Sequence, residues 1–473
     1  LADLLYPDVN GTIEELEKKY PKRNLSDKAE VTRFAPSPTG RMHMGNLFAS
    51  FVPETFAHQS NGIFYLRIED TDDKRTIENG VEHILEDFKE FDLKVDEDPI
   101  NGGEYGPYKQ RDRINIYHTV AKHLVEIGRA YPCFCTEEDL EEMREEQEEK
   151  KERIGYYGKY AKCRNLTLEE VKKHLENNDP WTLRLKSMGD FNKRFVFEDL
   201  IKGKIELPEN DLDQVILKSD GVPPYAFAHV CDDHFMRTTI VNRDDSYISS
   251  VPYHIELWDA CGFEKPKFAH MLPINKKDGE NIRKLSKRKD PEAAVAFYNE
   301  KGIPAEAIKL YFATLLNSNF EEWYLQNPDK SYKDFEFSFD KMSKSGSLFD
   351  LEKLLNISKN YFSRLKAKDL YEKLVEWASV YDKDFYELIT KEKEYTINIL
   401  NIEREVERPR KDIESYSAVK REVGYMYDIL FFNEEKTYER KDFYSKELLE
   451  YYINEVYDEE DDKQTWFNKI KEM

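Results

Sequence analysis

Two short apolar runs, each followed by a polar turn and an amphipathic helix, constrain this chain most. Val31-Thr32-Arg33-Phe34-Ala35 reads as a strand and Pro36-Ser37-Pro38-Thr39-Gly40 as a rigid turn, after which Met44, Leu47, Phe48 and Phe51 recur at helical spacing. Ile63-Phe64-Tyr65-Leu66-Arg67-Ile68 is a second buried-type strand ending in Glu69-Asp70-Thr71-Asp72, and Ile77, Val81, Ile84, Leu85 and Phe88 mark the helix after it. Strand, helix, strand, helix in that order predicts an α/β domain with a parallel sheet and a right-handed crossover. Ligands of such sheets sit outside the carboxyl ends of the strands, where Arg33, the Pro/Gly turn and Glu69 emerge.

At 473 residues the chain exceeds one compact domain. Ahead of the first strand, Thr12 before Glu14 and Glu15 predicts a helix start in a surface extension over residues 1–30. A helix over Ile114–Ile127 leads to Cys133-Phe134-Cys135, and the charge-dense stretch 137–153 reads as a solvated helix. Strand patterning returns at 181–185, 215–218 and Tyr225-Ala226-Phe227-Ala228, so an insertion splits the first sheet from its second half. From about Pro304 onward the spacing is helical almost throughout. The expected fold is thus an α/β, Rossmann-type parallel sheet split by an inserted α+β domain and followed by an all-helical carboxyl-terminal region. Its bounds are 1–30, 31–130, 131–210, 211–320 and 321–473.

The balance of 95 acidic and 72 basic side chains gives −23, which argues against a general polyanion binder and leaves room for a local basic face. Hydrophobic residues at 40% and aromatic ones at 13% predict a filled interior and not a disordered polyanion. No apolar run is long enough for a membrane helix, and the first residues lack a signal pattern; a cytoplasmic monomer without membrane contact is the expectation. Five cysteines do not make a disulfide framework.

Two segments carry chemistry. His43 and Gly45-Asn46 at a helix entry offer backbone N–H groups and the helix dipole to a phosphate, with the imidazole placed to donate to a developing phosphoryl charge. The basic loop Lys284-Leu285-Ser286-Lys287-Arg288-Lys289 offers mobile point charges suited to a reaction that expels pyrophosphate. Either alone is outweighed by a plain turn or a solvated charge run. Together, flanking a split sheet, they resemble the nucleotide-binding signature of class I aminoacyl-tRNA synthetases.

Arg33-Phe34-Ala35-Pro36-Ser37-Pro38-Thr39-Gly40, Leu66-Arg67-Ile68-Glu69-Asp70-Thr71-Asp72, Gly106-Pro107-Tyr108, Tyr131-Pro132-Cys133-Phe134-Cys135-Thr136 and Lys284-Leu285-Ser286-Lys287-Arg288 further resemble the glutamyl-tRNA synthetase family, over roughly residues 31 to 320. The resemblance implies a Rossmann catalytic domain, an inserted acceptor-binding domain and a helical anticodon-binding region. It implies ATP with Mg²⁺, L-glutamate and tRNA(Glu) as partners. Carried over by position, Arg33 grips the substrate side-chain carboxylate, Glu69 receives the α-ammonium, Ser37 and Tyr225 join the pocket, and Arg243 stands near the α-carboxylate. His43, Gly45, Asn46 and Lys287 bind ATP. His43 stabilises the α-phosphoryl transition state, and Lys284 with Lys287 the departing pyrophosphate.

Lys341-Met342-Ser343-Lys344-Ser345 spells the class signature more literally, but it follows a long helical stretch, and relatives carry a similar string there without a catalytic role; the earlier loop is the expected one. Cys133, Cys135 and Cys163 supply three thiolates for zinc, with Tyr156, Tyr157 or Tyr160 as a fourth ligand, and three reduced thiols are the alternative. Cys231 and Cys261 read as core residues. The chain departs from many relatives at Ala226 and at Asp244-Asp245-Ser246-Tyr247, and it lacks their Arg-x-Ala-x-Thr-Gly-Arg segment, which puts anticodon recognition in question. Three functions follow in order: a glutamate–tRNA ligase, a paralogue passing the glutamyl group to another acceptor, and a non-catalytic tRNA-binding protein.

Overall fold

The computed structural model describes residues 1–71, 77–286, 288–433 and 445–473. They form two compact units, Leu1–Ala418 and Val419–Met473. In the first, β1 (Val31–Phe34) and β2 (Ile63–Leu66) pair in parallel from Val31↔Ile63 to Phe34↔Leu66 around the helix Met44–Gln59, as the apolar runs predict. β3 (Ala130–Cys133) and β4 (Thr182–Leu185) are antiparallel neighbours. A hairpin of β5 (Arg194–Asp199) and β6 (Gly203–Pro208) follows, then β7 (Val215–Leu217), which pairs with β4. β8 (Ile240–Asp244) and β9 (Lys267–Met271) are parallel, and β5 joins β9 at Asp199↔Phe268. Thr239 N–H donates to Val31 O at 2.9 Å, which brings β1 of the first sheet beside β8 of the second. The arrangement is the α/β, Rossmann-type one expected. Two pairings cross the bounds read from sequence: the 194–208 hairpin shares a sheet with β8 and β9, and Val215–Leu217 pairs with β4 of the insertion.

A small sheet completes this unit: β10 (Ile274–Asp278) lies between β11 (Asn281–Lys284) and the two-residue β12 (Ser347–Leu348). The helices Leu351–Arg364, Ala367–Tyr381, Lys383–Lys391 and Lys393–Asn401 follow. The second unit carries the helices Asp428–Asn433, Lys446–Tyr451 and Lys463–Glu472. Among the described residues no helix is long and apolar enough to cross a membrane.

Two expectations are corrected. Tyr225–Ala228 is not a strand but the first turn of the helix Tyr225–Phe235, in which every residue after the first is buried. A helix buried on all sides shows no polar stripe, so its period is hidden, while Pro224 supplies an extended N-cap. Residues 1–30 are no surface extension. The Thr12 capping box and its helix Ile13–Lys19 form as predicted, but Leu5, Tyr6 and Tyr20 are buried in the core that contains Tyr117 and Phe235. Arg23 ties the segment down through a two-pronged ion pair with Glu97 at 2.7 and 2.8 Å.

Candidate active site

The turn before the Met44–Gln59 helix is fixed from below by Asp87, a fully buried carboxylate that accepts from Arg41 Nη1 at 2.6 Å and from Met42 N–H at 2.7 Å. That tether sets His43 at the N-cap, where its Nδ1 accepts from Asn46 N–H at 3.1 Å. An accepting Nδ1 leaves the proton of the neutral ring on Nε2. Gly45 is required by space: a Cβ there would come within 2.9 Å of the His43 ring. The first turn of the helix therefore presents an imidazole, Gly45 and Asn46 to one cavity of about 310 Å³.

Residues at or just past the carboxyl ends of β1, β2, β8 and β9 line the same cavity: Phe34, Glu69, Asp244 and Leu272. Arg33, Tyr225 and Arg243 line it too, and so does Lys284 at the end of β11. Segments separated by two hundred residues thus converge on one space. Ser37 is half-buried in the turn and outside this lining, and Lys287 lies outside the described residues.

The charged groups at the closed end are tightly organised. Arg33 donates from Nε and Nη2 to the two oxygens of Asp233 at 3.1 and 3.2 Å and from Nη1 to Asn242 O at 3.0 Å. Arg67 Nη1 reaches Asp233 at 2.7 Å. Burial opposes ionisation of Asp233, but the two guanidinium groups override it and hold the carboxyl well below its usual range. His229, one helical turn after Tyr225, places Nδ1 at 3.3 Å from both Arg33 Nη2 and Arg67 Nη2. Since arginine only donates, Nδ1 accepts and the Nε2–H donates to Glu69. Burial, with the Arg67 charge beside it, lowers the His229 pKa and keeps the ring neutral.

Arg33 and Arg67 are therefore paired with Asp233, Arg67 Nε also lies 3.5 Å from Asp232, and Arg113 is paired with Asp232. Arg243 is not so paired. It donates from Nε to His270 Nε2 at 2.9 Å and contacts His254 Nε2 from Nη1 at 3.3 Å, while its Nη2 is buried without a hydrogen-bond partner. Among the described residues it has no ion-pair partner. Burial lowers its pKa from the usual guanidinium value, and Arg33 adds to the effect. A half-buried guanidinium in a cavity wall, with one nitrogen fully buried and no carboxylate partner among the described residues, suits an anion. Tyr225, stacked on Tyr247 with ring centres 5.0 Å apart, keeps its phenolic proton because burial pushes its pKa up.

At the open end, Lys284 Nζ lies 3.1 Å from Asp244. The base of its hairpin is pinned by buried Asp290, which accepts from Arg283 at 2.6 and 2.8 Å and from Ser286 N–H at 2.9 Å. The more literal lysine string is exposed apart from Met342 and contributes nothing to the cavity lining. Asp87, His229, Asn242, His254, His270 and Asp290 were not singled out by sequence. The spacing of Tyr225 and His229, four apart, places them on one face only once the segment is known to be helical.

The sulfur atoms of Cys133, Cys135 and Cys163 lie within 4.8 Å of one another. Tyr156 Oη stands 3.4 and 3.3 Å from the first two. The thiols share their hydrogen bonds, which lowers the pKa of the Cys133 thiol and raises that of Cys135. Cys231 and Cys261 are buried and outside this group.

Comparison with known proteins places these features in context. The family described as tRNA synthetases class I (E and Q), catalytic domain, matches residues 30–356. A glutamate–tRNA ligase of Acetivibrio thermocellus is 48% identical over 476 residues, covering 100% of this chain and 87% of the relative. One from Clostridium beijerinckii is 44% identical with the same coverage. A crystal structure of a glutamate tRNA ligase from Elizabethkingia meningosepticum in complex with its amino acid superposes with a TM-score of 0.76 at 27% identity, over 94% of this chain and 89% of that one.

Proposed function

Because the chain belongs to the glutamate–tRNA ligases of class I, it activates L-glutamate with ATP and charges tRNA(Glu), and we propose that the cavity between His43 and Arg243 is where it does so. The observation that carries this assignment is the lone positive charge of Arg243. Glutamate at neutral pH is a net monoanion, and its docking balances a site in which every other described arginine already has a carboxylate; glutamine would leave Arg243 unpaired. The resemblance puts Arg33 on the side-chain carboxylate and Arg243 near the α-carboxylate; here the two roles are exchanged, with Arg243 on the side-chain carboxylate, because Arg33 is engaged by Asp233 and Arg243 has no carboxylate among the described residues. Arg33, already engaged by Asp233, shapes the wall beside it. Glu69 receives the α-ammonium, and the Tyr225 hydroxyl donates to a carboxylate oxygen.

ATP enters as its Mg²⁺ complex, with the phosphates over Gly45 and Asn46. The substrate α-carboxylate oxygen attacks the α-phosphorus, and the bond to pyrophosphate breaks. His43 Nε2–H donates to the charge that develops on the α-phosphoryl oxygens, while Lys284 and Lys287 neutralise the pyrophosphate as it leaves. The terminal ribose hydroxyl of tRNA then attacks the glutamyl carbonyl and AMP departs. No protein nucleophile takes part, so rate comes from placement and charge. Within this reading residues 131–210 meet the acceptor end, the helical region after 320 faces the anticodon arm, and the enzyme acts as a cytoplasmic monomer.

The three thiolates suit zinc, with Tyr156 as fourth ligand: sulfur donors with one oxygen, mostly buried, match a closed structural tetrahedron. Zinc there would staple the strand end at Cys133 to the 156–163 loop. One zinc per chain by elemental analysis, lost in Cys163→Ser, is the expected outcome.

Glutamate-dependent ATP/pyrophosphate exchange, with and without tRNA, followed by a charging assay, tests the whole assignment. Exchange together with charging is expected. Exchange without charging points to another acceptor, and no exchange under either condition contradicts the reading.

A further inference from the structure

Three buried histidines stand in or behind the cavity wall, His229 lining it and His254 and His270 contacting Arg243, and none of them serves the chemistry described above as a proton carrier. His270, fully buried, donates from Nδ1 to Asp199 Oδ2 at 2.7 Å, and its Nε2 accepts from Arg243 at 2.9 Å. The direction of both bonds is forced. The Asp199 carboxylate also accepts backbone N–H groups from Ile201, Lys202 and His270 at 2.9, 2.8 and 3.0 Å, a donor set that only an ionised acceptor satisfies. With its proton held on Nδ1, the ring can only accept at Nε2. His254, 2% exposed, accepts from the other branch of the same guanidinium at 3.3 Å. His229 does likewise for Arg33 and Arg67.

The side chains that steer Arg243 are therefore acceptors without charge. A carboxylate in either place would hold the guanidinium as firmly and would also neutralise it. We propose that His254 and His270, the latter backed by Asp199, are positioning residues that aim Arg243 into the cavity while leaving its charge for the substrate carboxylate. This deepens the reading given above and rests on it. Burial, with the Arg243 charge next to each, depresses both histidines below the usual imidazole value, which keeps them neutral in the working range. The device is a specificity element: it sets how strongly a carboxylate is preferred over an amide of the same shape, and it has no part in breaking the phosphoanhydride bond.

The test is a pair of isosteric variants that differ by one charge. In His254→Glu the new carboxylate lies within reach of Arg243 and competes with the substrate, whereas His254→Gln supplies a neutral acceptor. Measured by exchange in the presence of tRNA, the glutamate KM of His254→Glu is expected to be at least tenfold above that of His254→Gln, with the ATP KM values of the two within threefold. Equal glutamate KM values overturn the inference. If His254→Glu does not fold, as judged by a thermal melt, His270→Phe against His270→Gln gives the same decision: loss of the acceptor raises the glutamate KM at least tenfold over the amide variant, and equality again overturns it. A wild-type protein with no glutamate-dependent exchange overturns the parent reading, and this inference with it. Wild-type exchange combined with indistinguishable variants overturns this inference alone.

Discussion

At the closed end of the cavity Arg33, Arg67 and Asp233 are each 3% exposed or less, whereas at the open end the Lys284 side chain is 60% exposed at the tip of a short hairpin strand. The difference follows from the ligands each end has to meet. A carboxylate and an amide of equal size are told apart only by charge and donor geometry, so the guanidinium must be held still in a medium that screens little. A triphosphate carries several charges, and it tolerates cations that arrive on flexible stems and move as the leaving group departs. In the proposed reading, selection belongs to the buried wall and reactivity to the exposed end around Lys284.

That contrast can be broken from either side. The largest effect is expected for Lys287→Ala. If Lys287 acts on the leaving group as proposed, its removal should lower the exchange rate by about 10²- to 10³-fold while the glutamate KM stays within about threefold; a change confined to glutamate KM would erase the division. A smaller effect is expected for Asp290→Ala, which frees Arg283 and the Ser286 N–H together. The hairpin then loses its pin, and the ATP KM should rise roughly tenfold, again with little change for glutamate. Smallest is Lys344→Ala in the more literal lysine string, for which exchange kinetics should stay within about twofold of wild type, since an exposed lysine outside the cavity lining adds only screened charge. A tenfold loss there would move the catalytic loop to 341–345.

What could be read in the sequence tracks how local the physics is. The strands at Val31 and Ile63, the turn at 36–40 and the helix that begins past His43 are written in hydrophobic spacing and turn residues within a dozen positions, so they were legible. The Thr12 cap was legible for the same reason. The charge balance of the cavity was not. Arg33 and Asp233 are 200 residues apart, and His229 and Glu69 are 160 apart; nothing in either neighbourhood announces the other. Arg33, Glu69 and Arg243 were nameable through family resemblance, but that Arg33 arrives already paired and Arg243 does not is a property of the assembled fold. The 225–235 helix shows the same limit: its total burial removes the polar stripe that would have marked its period, and so hid His229 as well.

The central claim is that the half-buried Arg243 guanidinium, which has no carboxylate partner among the described residues, selects the substrate. It is tested most directly by titration calorimetry of L-glutamate and L-glutamine against the wild-type protein and Arg243→Gln, with ATP titrated in parallel. A buried charge pair of about 2–5 kcal/mol corresponds to roughly 30-fold or more. Arg243→Gln should therefore bind glutamate at least thirtyfold more weakly and lose its preference over glutamine, with the ATP dissociation constant within twofold of wild type. A variant that keeps the wild-type preference for glutamate would contradict the account.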